Sequence, residues 1–113
     1  MKFVIRPAAR EDILRQYRSY LIETENERVA ERFLEAVQFA IAQGCRQPGI
    51  GAPKRLNNPK LAGLRAWPVN GFPEMRIYYL VSENVLRIVR VLHSRRDIGP
   101  MLEADEQDSS RRS

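Results

Sequence analysis

The side chains of this 113-residue chain that could do chemistry are mostly cations. Lys54 and Arg55 sit in a stretch rich in proline and glycine, Arg65, Arg76 and Arg90 fall in β-rich runs, and His93, Arg95 and Arg96 follow the last of these. Of 19 basic residues only Lys2, Lys54 and Lys60 are lysine. Arginine offers a flat, forked donor that matches phosphates and carboxylates, so the set is suited to binding anions or an acidic protein. His93 is the chain's one histidine, the residue type most used for proton transfer, and one histidine does not make a catalytic system. Cys45 stands alone, which gives neither an internal disulfide nor a metal-ligand spacing, and it suits a reducing compartment. No metal and no cofactor is expected.

The cations are unevenly placed. Residues 1–44 hold seven basic and seven acidic side chains, whereas residues 45–102 hold ten basic against Glu74, Glu83 and Asp97, a net of +7. Such a surface either keeps the chain soluble or meets a polyanion or acidic protein, and the one-sided distribution favours a partner. Hydrophobic residues make up 43% and charged residues 29%, ordinary usage for a single globular domain. Each apolar run is broken well short of the roughly 18 residues a membrane span needs. The start of the chain lacks the apolar core of a secretory signal, so a cytoplasmic location is expected.

The elements that must carry these residues can be read from periodicity. Phe3-Val4-Ile5 is a short β-rich run stopped by Pro7. Over residues 8–23, Ile13, Tyr17, Tyr20 and Leu21 recur at helical spacing, with Glu11 and Asp12 placed where a first helical turn favours acids. Residues 23–26 interrupt the stripe with capping candidates, and Ala30, Phe33, Leu34, Val37 and Ile41 resume it as far as Gly44. This predicts a helical hairpin whose Arg28, Glu31, Arg32 and Glu35 face solvent.

Residues 45–63 contain so many prolines, glycines and asparagines that one long irregular loop is expected, and its Lys54, Arg55 and Lys60 make it a basic functional loop. Residues 64–69 and 75–81 are predicted strands around Asn70-Gly71, with Pro68 and Pro73 implying an edge or a bulge. A turn at residues 82–84 leads to residues 85–92, a nearly continuous apolar run that reads as a central strand. Tyr78 and Tyr79 alternate in direction, so at most one is expected in the core. Trp67 reads as packing and Cys45 as a half-buried thiol. The expectation is an α+β domain of order β-α-α-β-β-β over residues 1–102, a helical hairpin on a mainly antiparallel sheet, followed by a polar, disordered tail over residues 103–113.

This order, ending on His93-Ser94-Arg95-Arg96-Asp97, resembles the ParE branch of the ParE/RelE toxin superfamily over nearly all of residues 3–98. The resemblance rests on residues 9–13, residues 30–33, Pro48-Gly49-Ile50-Gly51, Leu64-Arg65 with Gly71-Phe72, Met75-Arg76-Ile77-Tyr78-Tyr79, and residues 93–97. It implies the toxin of a type II toxin–antitoxin pair, neutralised by an acidic, ParD-like antitoxin. ParE relatives inhibit DNA gyrase, whereas RelE relatives cleave messenger RNA on the ribosome with lysines, arginines and a late tyrosine. Residues 98–102 here contain no Tyr, Ser or His, which favours the ParE branch and a non-enzymatic inhibitor that binds gyrase stoichiometrically.

The expected target- or antitoxin-binding set is Lys54, Arg55, Arg65, Arg76, Arg90, His93, Arg95 and Arg96, with no catalytic residue. A ribonuclease alternative would use Lys54, Arg76, His93 and Arg95 as a cationic site for a developing phosphorane charge. A second alternative is a basic nucleic-acid-binding module, whose affinity would fall steeply with salt. Beside these stand plainer readings: His93 as a hydrogen-bonded strand end, Arg95 and Arg96 paired with Asp97 or helical glutamates, and Lys54 and Arg55 simply solvated.

Overall fold

The computed structural model describes residues 1–96. The chain enters through strand β1 (Lys2–Ile5), and helix α1 (Pro7–Thr24) begins at once because Pro7 occupies a first-turn position where its fixed φ and missing N–H cost nothing. Glu11 and Asp12 therefore fall beyond the first turn, which contains no acid, correcting the macrodipole role expected for them. Glu25 turns the chain through the left-handed region at φ 50°, and the Asn26 side chain caps helix α2 (Glu27–Arg46) by accepting from the Arg28 N–H at 2.9 Å.

The expected irregular loop is more ordered than its composition suggests. It holds a two-residue strand β2 (Ala52–Pro53) and a 3-10 turn (Pro59–Leu61) capped by the Asn58 side chain. Strands β3 (Arg65–Val69), β4 (Phe72–Ser82) and β5 (Val85–His93) complete a sheet of order β1-β5-β4-β3-β2. Among the described residues only the β1–β5 pair is parallel. At the Asn70-Gly71 turn only Gly71 has a positive φ, and the register slips between Pro68 and Val69, the bulge that the flanking prolines imply. Glu83 and Asn84 both adopt positive φ in the tight β4–β5 turn.

Both faces of the sheet are covered. The helical hairpin buries Phe33, Val37 and Ile41 against Ile77, Tyr79, Leu86, Ile88 and Val91. On the opposite face Leu61 and Leu64 pack with Tyr78, Leu80, Val89 and Leu92. Tyr78 and Tyr79 do point to opposite faces, but each meets a core, so the expectation of at most one buried tyrosine is overturned. The reason is the segment after β2, which folds back over a face that would otherwise be open. β5 lies inside the sheet, as its apolar run implies, and Arg28, Glu31, Arg32 and Glu35 are exposed. No helix among the described residues is long and apolar enough to cross a membrane. The tail expected over residues 103–113 lies outside the described residues, as does Asp97.

Candidate functional site

Two cationic groups flank the sheet, each held by backbone bonds. The first follows β2. The Tyr79 hydroxyl, rooted in the helix-side core, accepts from the Gly51 N–H at 2.8 Å and donates to the Pro48 carbonyl at 2.8 Å. Arg65 donates to the Gly51 carbonyl at 2.7 Å and reaches the Gly49 carbonyl at 3.4 Å. A Cβ on Gly51 would stand 2.7 Å from the Tyr79 oxygen, so only glycine allows this approach. Lys54 then bonds through its N–H to the Leu64 carbonyl at 2.8 Å. Lys54 and Arg55 leave this anchored base exposed.

The second group lies past β5. The Ser94 N–H donates to the Glu74 carbonyl at 2.7 Å, the Arg96 N–H to the His93 carbonyl at 3.0 Å, and the Arg95 N–H to His93 Nδ1 at 3.2 Å. This turn presents Arg95 and Arg96 to solvent. His93 is thus a hydrogen-bonded strand end, as its plainer reading has it. Among the described residues no ion pair joins Lys54, Arg55, Arg95 or Arg96 to an acid. Arg65 is in register with Tyr79 and His93 with Met75, so the residues from which the two groups are anchored sit at levels of the sheet separated by four residues of β4, roughly 13 Å, with the cations beyond them.

Three of the predicted contact residues have other occupations. Arg90 is only 8% exposed and makes a two-bonded ion pair with Asp12, itself 5% exposed, at 2.7 and 2.8 Å. It is removed from the contact surface, contrary to expectation. The register slips between Tyr78 and Tyr79, where Val89 is passed over, and Asp12 also accepts from the Val91 N–H at 3.0 Å. Arg65 is spent on the loop, and the Arg76 guanidinium folds back onto the carbonyls of Pro73 and Met75.

Two members of the ribonuclease set, Arg76 and His93, are held apart. Residues opposite each other in an antiparallel pair point to one face; Arg76 is opposite Leu92 of the outer core, whereas His93 is opposite Met75 of the helix-side core. Arg76 and His93 therefore lie on opposite faces. Among the described residues no cluster of three or more His, Cys, Asp or Glu side chains could hold a metal.

Sequence reasoning missed Asp12, Tyr79 and Gly51. Asp12 stands three residues after buried Ala9 and beside Ile13, on the apolar stripe itself, and that position signalled burial. Tyr20 donates to Glu74 at 2.8 Å beneath the α1–α2 hairpin; burial first, and then this bond and the Glu74 charge, push its phenol well above the usual tyrosine range.

The family described as "ParE toxin of type II toxin-antitoxin system, parDE" matches residues 3–98. No curated protein matches the chain. A solved structure described as "Chromosomal ParDE TA system from P. aeruginosa" is similar, with a TM-score of 0.57 and 20% identity over 82% of this chain and 95% of that one. At that identity the likeness is one of fold. With the family match extending from the first strand to just past Arg96, the chain belongs to the ParE toxin family of type II toxin–antitoxin systems.

Proposed function

We propose that this ParE-type toxin inhibits DNA gyrase by stoichiometric binding, and that an acidic, ParD-like antitoxin neutralises it. The toxin domain spans residues 1–102 and acts in the cytoplasm. The observation that carries the reading is the pair of anchored cationic groups, Lys54 with Arg55 and Arg95 with Arg96, exposed and without ion-pair partners among the described residues of a ParE family member. Backbone anchoring lowers the ordering entropy lost when such groups meet a target. Their spacing suits a broad macromolecular surface. A small anion would need cations converging on one point. Opposite charge on the antitoxin raises its association rate and fixes its register.

The test is supercoiling of relaxed plasmid by purified gyrase with ATP and increasing amounts of this protein, beside an Arg95→Ala/Arg96→Ala variant. Inhibition or trapped cleaved plasmid is expected with the wild type, and a loss of about tenfold or more in potency with the variant, since truncating central arginines of an interface costs at least about 1.4 kcal/mol. Both side chains are exposed, so the variant's melting temperature stays unchanged. No inhibition at any ratio by folded protein refutes the gyrase reading. Cleaved transcripts in a translating extract would then reinstate the ribonuclease, despite the separation of Arg76 and His93.

A further inference from the structure

β1 is a sheet edge that nothing within the described chain covers. Its inner side is set by the Arg6 N–H, which donates to the Ile88 carbonyl at 3.0 Å. Backbone groups alternate along a strand, so Val4 and Lys2 also turn inward, and the N–H and C=O of Phe3 and Ile5 face out of the sheet. Such a row is a template for another strand unless it is blunted by proline, a bulge or charge. None of these lies between Phe3 and Ile5, and the exposed side chains there are apolar: Phe3 is 52% and Val4 45% exposed. Phe3 and Ile5 also form one wall of an apolar groove of about 670 Å³, closed on the other side by Ile41, Ala42 and Cys45 of α2. Arg46 lines it, exposed Lys2 stands at the strand's start, and no acid is among its lining residues.

We infer that an extended, acidic segment of the antitoxin adds to β1 as a sixth strand, seating alternate apolar side chains in this groove and its carboxylates near Lys2 and Arg46. The inference rests on the antitoxin reading above and names the surface and the chemistry of the segment. Main-chain bonds to Phe3 and Ile5 supply a sequence-tolerant grip, and the groove selects apolar residues at every second position. Charge decides the occupant. A second copy would bring another chain of net charge +5 and a second Lys2 and Arg46 to the same edge, whereas an acidic strand neutralises them.

The test is amide hydrogen exchange of this protein alone and in complex with its antitoxin, which the proposed function expects as a short acidic protein encoded beside its gene. On complex formation the Phe3 and Ile5 amides are expected to slow by about tenfold or more, because only hydrogen-bonded amides wait for an opening event. A Phe3→Pro variant removes an outward N–H and one wall of the groove but no inward bond of β1, and should weaken the complex about tenfold while leaving gyrase inhibition by the free toxin intact. A complex that forms with both amides unprotected overturns the inference and leaves the antitoxin reading standing. Protection that appears in the protein alone and rises with its concentration assigns the edge to a second copy, and also overturns it. If no complex forms, the antitoxin reading falls and the inference with it.

Discussion

At the scale of single residues the most consequential departure from expectation is Arg90, an arginine that leaves the surface to meet Asp12. Two charges taken out of water lose solvation worth several kcal/mol each, and a two-bonded pair with a third bond from the Val91 N–H offsets that loss. The pair ties α1 to an interior strand at the register slip, where Val91 directs its N–H toward the helix. Removing one partner takes the ion pair's compensation away from a charge that stays buried. Asp12→Ala should therefore lower stability by about 3–5 kcal/mol in urea denaturation. Replacing both partners with apolar residues, Asp12→Leu/Arg90→Met, should cost clearly less than the single change. If the double variant is the less stable of the two, the charge-burial account is wrong and the bonds themselves carry the effect.

Among the elements, the segment between α2 and β3 shows how a stretch without periodicity is nonetheless ordered. Its order comes from outside, from Tyr79 on β4 and Arg65 on β3. Tyr79→Phe keeps the ring in the core and strands the Gly51 N–H and Pro48 carbonyl, a loss of about 1–3 kcal/mol for buried unsatisfied groups. The loop should loosen more than the fold: Gly51 and Lys54 amide exchange should accelerate while Phe33 and Ile88 keep their protection. Uniform acceleration would show that the hydroxyl serves global stability alone. The helices and the three consecutive strands were legible because each carries its own period and punctuation: Pro7, Asn26 and the two tight turns. The β2 pairing and the second core were not, because bonds such as that between Gly51 and Tyr79 span 28 residues and leave no local pattern; the 3-10 turn has a local start in Asn58-Pro59 that the reading as one irregular loop passed over. The same blindness explains the candidate site. Exposed Lys54, Arg55, Arg95 and Arg96 could be read from loop and strand-end positions, whereas the burial of Arg90 depends on a helix 78 residues away.

For the molecule as a whole, three tyrosines sample the packing of every layer: Tyr20 between the hairpin and the β3–β4 end, Tyr79 in the helix-side core and Tyr78 in the opposite core. Burial raises the pKa of all three above the ordinary value near 10; for Tyr78 the Arg76 charge opposes this, and for Tyr79 the Gly51 N–H and Arg65 do. The folded state therefore holds these phenol protons more tightly than the unfolded chain does. Their contribution is complete below about pH 10, where both states are protonated, and is lost as the pH rises above it and only the unfolded chain ionises. Each tyrosine then steepens the loss by up to about 1.4 kcal/mol per pH unit. Urea midpoints measured from pH 8 to 11 should fall beyond about pH 10, and Tyr20→Phe should remove one tyrosine's share of that slope. An unchanged slope in Tyr20→Phe would mean that its phenol ionises as readily in the folded protein as outside it, and that Glu74 does not hold its proton in place.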